Sequence, residues 1–301
     1  MAMIRDPFSC TKVLVLGKPF RSISTELLND DTRIEAIPTT VLGFPMKISE
    51  EKSRFFLLNP TTRECRELPS PEVAHSDVRF FYGLGYDSQT RDYKLVRGRL
   101  VAHRHGSCCY GTSTIEILSL VSNSWRMIVL EGVFFRSTSA YFGVYASGSL
   151  HWLMGDRLTS FDVSGEKFHE TVHLTGIDEY ENDRLEGIGV SGESLFVCRG
   201  CQSGPNFEAW VMKWDGKESS WTKLCSVLVD EYSPFAKYYV RPLYFTRDGK
   251  IVMVRCGTQL CRYDPEENAI KMFEFDKEME VYRLATYVES LVSPGNEVVQ
   301  R

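Results

Sequence analysis

Short stretches in which apolar and polar residues alternate recur along the chain, as at 93–97 (YKLVR) and 114–118 (TIEIL). Gly, Asp, Ser, Asn and Pro separate these stretches. An apolar period of two residues is typical of a β-strand with one buried face, whereas no stretch keeps a 3.6-residue apolar period for three helical turns. The pattern predicts an all-β protein without long helices.

A turn motif recurs between the predicted strands. It consists of a small polar residue, five intervening residues and then an apolar or aromatic residue. It occurs at 59–65 (NPTTREC), 87–93 (DSQTRDY), 119–125 (SLVSNSW), 162–168 (DVSGEKF), 215–221 (DGKESSW) and 264–270 (DPEENAI). The first residue can bond the turn backbone while Gly, Pro, Ser and Asn shape the bend. The motif predicts tight hairpins in which the last residue begins the return strand with its side chain packed inward.

The predicted strands group into sets of four. The regular sets are 82–86, 93–97, 114–118 and 124–129; 142–146, 150–154, 158–161 and 168–173; 186–190, 194–198, 209–213 and 221–226; and 241–245, 251–255, 259–263 and 270–275. Strands at 12–16, 20–24, 33–37, 54–58 and 64–68 precede them, and a strand-like tail follows at 283–291. If the tail completes the N-terminal strands, the count predicts a six-bladed β-propeller closed by the C-terminal strand, because closure protects sheet edges. A two-layer sandwich is the alternative.

In such a meander the long loops gather at one face, and they form the predicted binding surface. These loops are 98–113, 131–141, 175–185, 199–207 and 227–239, whereas the hairpin turns on the other face are short. Aromatic residues and Arg dominate protein interfaces. The partner-binding candidates are His103, Arg104, His105, Tyr110, Phe134, Phe135, Arg136, Tyr180, Tyr232, Phe235 and Tyr238. Alternatively, several of these side chains pack beneath their own loops. The acidic run 178–183 adds negative potential that would select a basic partner.

Composition narrows the class of protein. The chain has 301 residues, which one ring at 12–294 nearly fills, leaving an N-terminal segment 1–11 and a tail 295–301. The net charge of −5 predicts no general attraction to nucleic acid. The N-terminus lacks a signal-peptide core, and no apolar run is long enough to span a bilayer, so the nine cysteines are expected to be reduced thiols in the cytoplasm or nucleus.

No catalytic or metal-binding constellation is recognisable. Cys198 and Cys201 have zinc-knuckle spacing, but one pair supplies only half of a tetrahedral shell. His103 and His105 lack a nearby carboxylate, and His151 and His169 are expected to be hydrogen-bonded strand residues. We therefore predict a binding module with no catalytic residue, no metal and no cofactor.

Several motifs, taken together, resemble those of plant F-box-associated domains. They are 55–64 (FFLLNPTTRE) with Leu68-Pro69; 82–87 (YGLGYD) with 92–97 (DYKLVR); 115–120 (IEILSL) with 123–126 (NSWR); 148–152 (GSLHW) with Phe161-Asp162; 208–212 (EAWVM) with 220–223 (SWTK); and 287–291 (YVESL). Their order and spacing agree with the family from about residue 12 to 294.

The resemblance implies a kelch-like propeller that recognises target proteins for a Skp–cullin–F-box ubiquitin ligase. Pollen S-locus F-box proteins and F-box regulators of plant immunity are subgroups of this family. The chain departs from the family in two places. Family members begin with an F-box, which this chain is expected to lack, because its residues 4–8 (IRDPF) resemble the last residues of that segment. In addition, Val41-Leu42-Gly43-Phe44-Pro45 stands where the family has a "GSCNGL" segment. We therefore expect a Skp-type adaptor to bind only if an F-box is supplied upstream. A truncated family product and a propeller enzyme remain alternatives.

Overall fold

The computed structural model describes residues 11–18, 21–24, 37–38, 55–59, 64–71, 79–100, 113–130, 143–154, 157–169, 172–173, 183–191, 194–201, 206–214, 219–228, 240–246, 248–255, 259–273 and 280–288. Within these ranges the chain forms 23 β-strands and no helix. In this part of the chain there is accordingly no helix long and apolar enough to cross a membrane. The all-β prediction is confirmed.

The described strands form six antiparallel sheets, numbered here in chain order. Sheet 1 contains β1 (Thr11–Lys18), β2 (Arg21–Ser24), β3 (Ile37–Pro38) and β23 (Glu280–Val288); sheet 2 contains β4 (Phe55–Asn59) and β5 (Glu64–Leu68); sheet 3 contains β6 (Arg79–Asp87), β7 (Asp92–Leu100), β8 (Ser113–Ser119) and β9 (Ser124–Leu130). Sheet 4 contains β10 (Val144–Ala146), β11 (Ser149–Met154), β12 (Arg157–Asp162), β13 (Lys167–Phe168) and β14 (Val172–His173); sheet 5 contains β15 (Asp183–Ser191), β16 (Ser194–Cys201), β17 (Asn206–Trp214) and β18 (Ser219–Leu228); sheet 6 contains β19 (Val240–Phe245), β20 (Ile251–Arg255), β21 (Gln259–Asp264) and β22 (Ala269–Phe273).

The C-terminal strand joins the N-terminal sheet, as predicted. β23 pairs antiparallel with β1 from Thr11 opposite Val288 to Lys18 opposite Glu280. Sheets 3, 5 and 6 are meanders of four consecutive strands, which is the form of a propeller blade. In sheet 4 the single strand expected at 168–173 is divided into β13 and β14, and both pair with β12. The number of blades stays a prediction.

The chain divides into two compact units. Unit 1 comprises Met1–Leu42, Leu58–Glu64 and Asp178–Val292, and unit 2 comprises Gly43–Leu57, Cys65–Ile177 and Ser293–Arg301. Sheets 1, 5 and 6 therefore lie in unit 1, and sheets 3 and 4 lie in unit 2.

The core of unit 2 forms between sheets 3 and 4. Phe81 and Ile115 of sheet 3 pack with Leu150, Trp152 and Phe161 of sheet 4. The rings of Phe81 and Trp152 meet edge to face at 5.1 Å, and the Trp152 indole N–H donates to the Tyr82 carbonyl at 2.8 Å. The ring contact and the hydrogen bond together join the two sheets, and the hydrogen bond satisfies the one polar atom of the buried Trp152 side chain.

The core of unit 1 is built in the same way between sheets 5 and 6. Phe196 of sheet 5 meets Phe245 of sheet 6 edge to face, with ring centroids 4.7 Å apart. The thiols of Cys198 and Cys261 are buried in this apolar cluster.

The predicted hairpin motif is observed at the four described turns. The first residue of each accepts a hydrogen bond from the backbone N–H of a turn residue at 2.9 to 3.1 Å, and these acceptors are Asp87, Ser119, Asp162 and Asp264. The fifth residue of each has a positive φ of 50–55°, and these residues are Arg91, Asn123, Glu166 and Asn268. The return residue packs inward as Trp125, Phe168 and Ile270. Tyr93 is different, because 37% of it is exposed.

Candidate protein-binding site

The predicted partner-binding residues lie outside the described residues. They are His103, Arg104, His105, Tyr110, Phe134, Phe135, Arg136, Tyr180, Tyr232, Phe235 and Tyr238. The structure does describe the strand ends from which their loops leave. Those strand ends show which loops start beside one another.

Two candidate loops leave sheet 3 from the same end. Residues 101–112, which carry His103 to Tyr110, connect Leu100 at the end of β7 with Ser113 at the start of β8. Ser113 lies directly opposite Leu130, the last residue of β9, after which the second loop with Phe134 to Arg136 begins. We call this the loop end of sheet 3. The turns after Asp87 and Ser119 lie at the other end of the strands, which we call the turn end of sheet 3.

Sheet 5 has the same arrangement. Asp183, where the loop with Tyr180 returns, pairs with Cys201, and Asn206 pairs with Leu228. The loop that carries Tyr232, Phe235 and Tyr238 begins after Leu228. The strand register therefore brings the bases of the Tyr180 loop and of the Tyr232–Tyr238 loop to one end of sheet 5.

A buried cation supports the strands of sheet 3 toward the loop end. Tyr82, Arg97, Glu116 and Met127 lie opposite one another across the four strands. The Arg97 guanidinium is 3.2 Å from the Glu116 carboxylate and lies 3.7 Å from the centroid of the Phe80 ring. Burial raises the pKa of the Tyr82 phenol, and the nearby Arg97 charge only partly opposes this. The guanidinium of β7 thus pairs with a side chain of β8 and stacks on a side chain of β6, and we call these residues the base of the loop end.

Two apolar side chains of β9 are exposed beside this base. Met127 is 65% exposed and Val129 is 55% exposed, and both point to the same face because they are two positions apart on one strand. We call Met127 and Val129 the outer patch. It leads along β9 into the loop that carries Phe134 and Phe135. The only sequence signal for it is that β9 (SWRMIVL) has apolar residues on both faces, with Ile128 and Leu130 on the other.

The turn end of the same sheet is held by a buried polar cluster. Lys94 donates to the Asp87 and Glu166 carboxylates, each at 2.7 Å, and to the Val163 carbonyl at 3.1 Å. Ser164 also donates to Asp87 at 2.6 Å, and Arg126 pairs with Glu166. These contacts join sheet 3 to sheet 4.

Electrostatics in this cluster favour the charged forms. Burial by itself raises the pKa of the Asp87 carboxyl, but hydrogen bonds from Lys94, Ser164, Thr90 and the Gln89 N–H outweigh it and hold the pKa well below its usual range. Burial likewise lowers the pKa of Lys94, yet the bonds to Asp87 and Glu166 raise it overall. Because its charges satisfy each other, we assign the cluster a structural role.

The histidines and cysteines with described side chains show no catalytic arrangement. His151 is buried, its Nδ1 lies 2.8 Å from the Ser160 hydroxyl, and burial lowers its pKa to about 4. His169, expected in a strand, follows β13 with an exposed side chain, and its backbone N–H donates to Ser160. No group of three His, Cys, Asp or Glu side chains that could hold a metal ion occurs among the described residues.

Comparison with known proteins identifies the family. Residues 25–294 match the model of the F-box associated beta propeller domain, and the chain belongs to this family. It is 28% identical to F-box protein CPR1 of Arabidopsis thaliana over 286 residues, covering 85% of this chain and 68% of that protein. It is also 28% identical over 269 residues to an F-box/kelch-repeat protein of the same plant, covering 80% of this chain and 64% of that protein.

A third relative is matched over more of its own length. The chain is 25% identical to an F-box/LRR-repeat/kelch-repeat protein of Arabidopsis thaliana, covering 97% of this chain and 88% of that protein. Solved structures are more distant, such as the Cps50 (Swd1) beta-propeller domain, with a TM-score of 0.40, 10% identity and 82% and 89% of the two chains covered. The predicted family and the β-propeller fold class are confirmed.

Proposed function

We propose that this chain is a target-recognition module that binds a protein partner through its long loops, and first through the two that leave the loop end of sheet 3. The observation that carries the proposal is the strand register at Ser113 and Leu130, which starts two candidate loops side by side at one end of sheet 3. Family membership and the F-box relatives support a role in protein interaction.

The chemistry of this surface suits a protein partner. The loops contain Phe, Tyr and Arg side chains, which are residue types enriched at protein interfaces. The outer patch adds apolar surface beside them, on a strand rather than on a loop. The backbone of a strand is already ordered, so contacts made by strand residues cost less conformational entropy on binding than contacts made by loop residues.

Quantitative affinity enrichment from plant extract tests the loop surface. A chain with Phe134→Ala, Phe135→Ala and Arg136→Ala is compared with the unaltered chain, and a matched control carries Val121→Ala and Ser122→Ala, two exposed residues at the turn end of the same sheet. We expect the loop variant to lose the captured partner and the control to retain it. Equal capture by both variants, at equal thermal stability, would refute the proposal.

We infer that ubiquitin-ligase activity requires an F-box joined to this propeller. Residues 4–8 (IRDPF) resemble the end of an F-box, and in this family the F-box, rather than the propeller, contacts a Skp-type adaptor. Co-purification of the 301-residue chain with a Skp-type adaptor, with and without a fused F-box, tests this. Only the fusion is expected to bind the adaptor, and a tight complex between the adaptor and the unfused chain would contradict this inference. We propose that this interaction takes place in the cytoplasm or nucleus.

A further inference from the structure

The last strand of sheet 3 differs from the edge strands of the other sheets. Within the part of the chain that the structure describes, β9 pairs with β8 and with no other strand, so one of its edges is open. An open edge presents a row of backbone N–H and C=O groups with which another extended chain can pair. Proteins usually prevent such pairing with proline, charged residues, bulges or very short strands.

The edge strands of the other sheets carry protective features of this kind. These are Pro38 in β3, Arg66 at the centre of β5, Lys167 in the two-residue β13, Lys223 beside a bulge in β18, and Lys271 at the centre of β22. In β18 the bulge leaves Leu224 without an opposite residue in β17. Each feature opposes pairing with a second strand.

β9 has none of these features at its centre. It is seven residues long, and its register with β8 is continuous over all seven. Its central residue is Met127, which is 65% exposed. Its one charged residue, Arg126, already pairs with Glu166 of the same chain. β9 is therefore a regular strand whose open edge can accept another strand.

We propose that two copies of this chain associate by pairing their β9 strands antiparallel, with Met127 of each copy at a two-fold axis. When such an axis is normal to the sheet, the residue at the axis lies opposite the same residue of the second copy, and its neighbours pair in reverse order. Trp125 then lies opposite Val129 of the second copy, and Arg126 lies opposite Ile128.

The sequence of β9 suits this register. Trp125 and Val129 form an aromatic–β-branched pair, a type of cross-strand pair that stabilises sheets. Arg126 meets an apolar residue rather than Arg126 of the second copy, so no like charges lie directly opposite each other.

The pairing also brings the outer patches of the two copies together. Directly opposite residues share a face, so Met127 and Val129 of both copies form one apolar surface across the axis. One strand pair buries less area than the interface of a permanent dimer, so we expect reversible association that depends on concentration.

Sedimentation equilibrium of charge-swap variants tests both the surface and the register. The unaltered chain should shift from monomer to dimer as its concentration rises. Met127→Lys or Met127→Glu places like charges opposite each other at the axis, so each variant alone should associate at least about tenfold more weakly. An equimolar mixture of the two variants places Lys opposite Glu and should recover the dimer.

Leu224→Lys is the matched control. Leu224 is also an exposed apolar residue of an edge strand, 51% exposed, but it lies at the bulge of β18. This variant should self-associate like the unaltered chain.

Four outcomes would overturn the proposal: a monomer at every concentration, an unchanged dimer for either Met127 variant, a mixture that stays monomeric, or an equal loss in the Leu224 variant. Because the measurement contains no partner protein, its outcome is independent of the proposed loop surface.

Discussion

The two faces of sheet 3 show how one set of strands can serve packing on one side and remain partly open on the other. Toward sheet 4 the face is a buried aromatic and aliphatic layer, and the buried Lys94–Asp87 pair lies at its turn end. Toward sheet 2 the same strands present Leu84, Tyr93, Met127 and Val129 at the surface. The contrast separates residues that hold unit 2 together from residues available for contact. Changes on the closed face should therefore cost stability, and changes at these four exposed side chains should not.

The largest expected effect is that of removing the ring that joins sheets 3 and 4. Trp152→Ala removes the contact with Phe81 and the bond to the Tyr82 carbonyl, so we expect the free energy of unfolding to fall by about 3–5 kcal/mol. Urea unfolding followed by circular dichroism measures it. Met127→Ala on the open face is the control and should change stability by less than about 0.5 kcal/mol. Similar losses for the two variants would show that the faces do not differ.

The next effect is expected at the turn end. Lys94→Met leaves the Asp87 carboxylate buried without its cation, and breaking such a pair costs about 3 kcal/mol or more. Arg126→Met is the matched control in the same cluster, because its guanidinium is about half exposed and its pair with Glu166 is worth at most about 1 kcal/mol. Thermal unfolding of both variants tests the difference. An Arg126→Met loss as large as that of Lys94→Met would contradict it.

The smallest effect is a pH dependence that originates on the side of sheet 4. Burial lowers the pKa of His151 from 6.5 to about 4, so between these values the unfolded chain binds a proton that the folded chain does not. The stabilising contribution of the neutral ring is complete above pH 6.5 and is lost as the pH falls toward 4. His151→Gln should reduce the slope of the unfolding free energy against pH in this range by about 1 kcal/mol per pH unit. Unfolding free energies measured across this range check it, and identical slopes for the two proteins would refute it.

Much of the fold could be predicted from local patterns. The motif at 87–93 begins with a side chain that accepts turn N–H groups, and this interaction is complete within a few residues. The strand starting at Ile251 was predicted with its observed bounds because a continuous apolar run bounded by turns is also a local signal. The sequence predicts one strand over 168–173, but the structure has two. The bounds of these strands depend on which residues of β12 they pair with, and β12 is a separate part of the chain.

The candidate site was predictable only in outline. Counting strands placed the long loops at one end of each sheet, and the register of Ser113 opposite Leu130 agrees with that placement for sheet 3. The partner-binding residues in those loops stay predictions. The exposure of Met127 and Tyr93 could not be predicted, because the alternation of residues along a strand does not indicate which face a neighbouring sheet will cover.

The sequence by itself determined the class of structure: period-two alternation, six polar turn motifs and an ordered series of family motifs are all short-range features of the chain. The tertiary structure decided which faces are closed. It placed Lys94 next to Glu166, 72 positions away, and Trp152 under the Tyr82 carbonyl, 70 positions away. It also left the opposite face of the same strands partly exposed. Burial is a property of what packs against a strand, and that neighbour comes from a distant part of the chain.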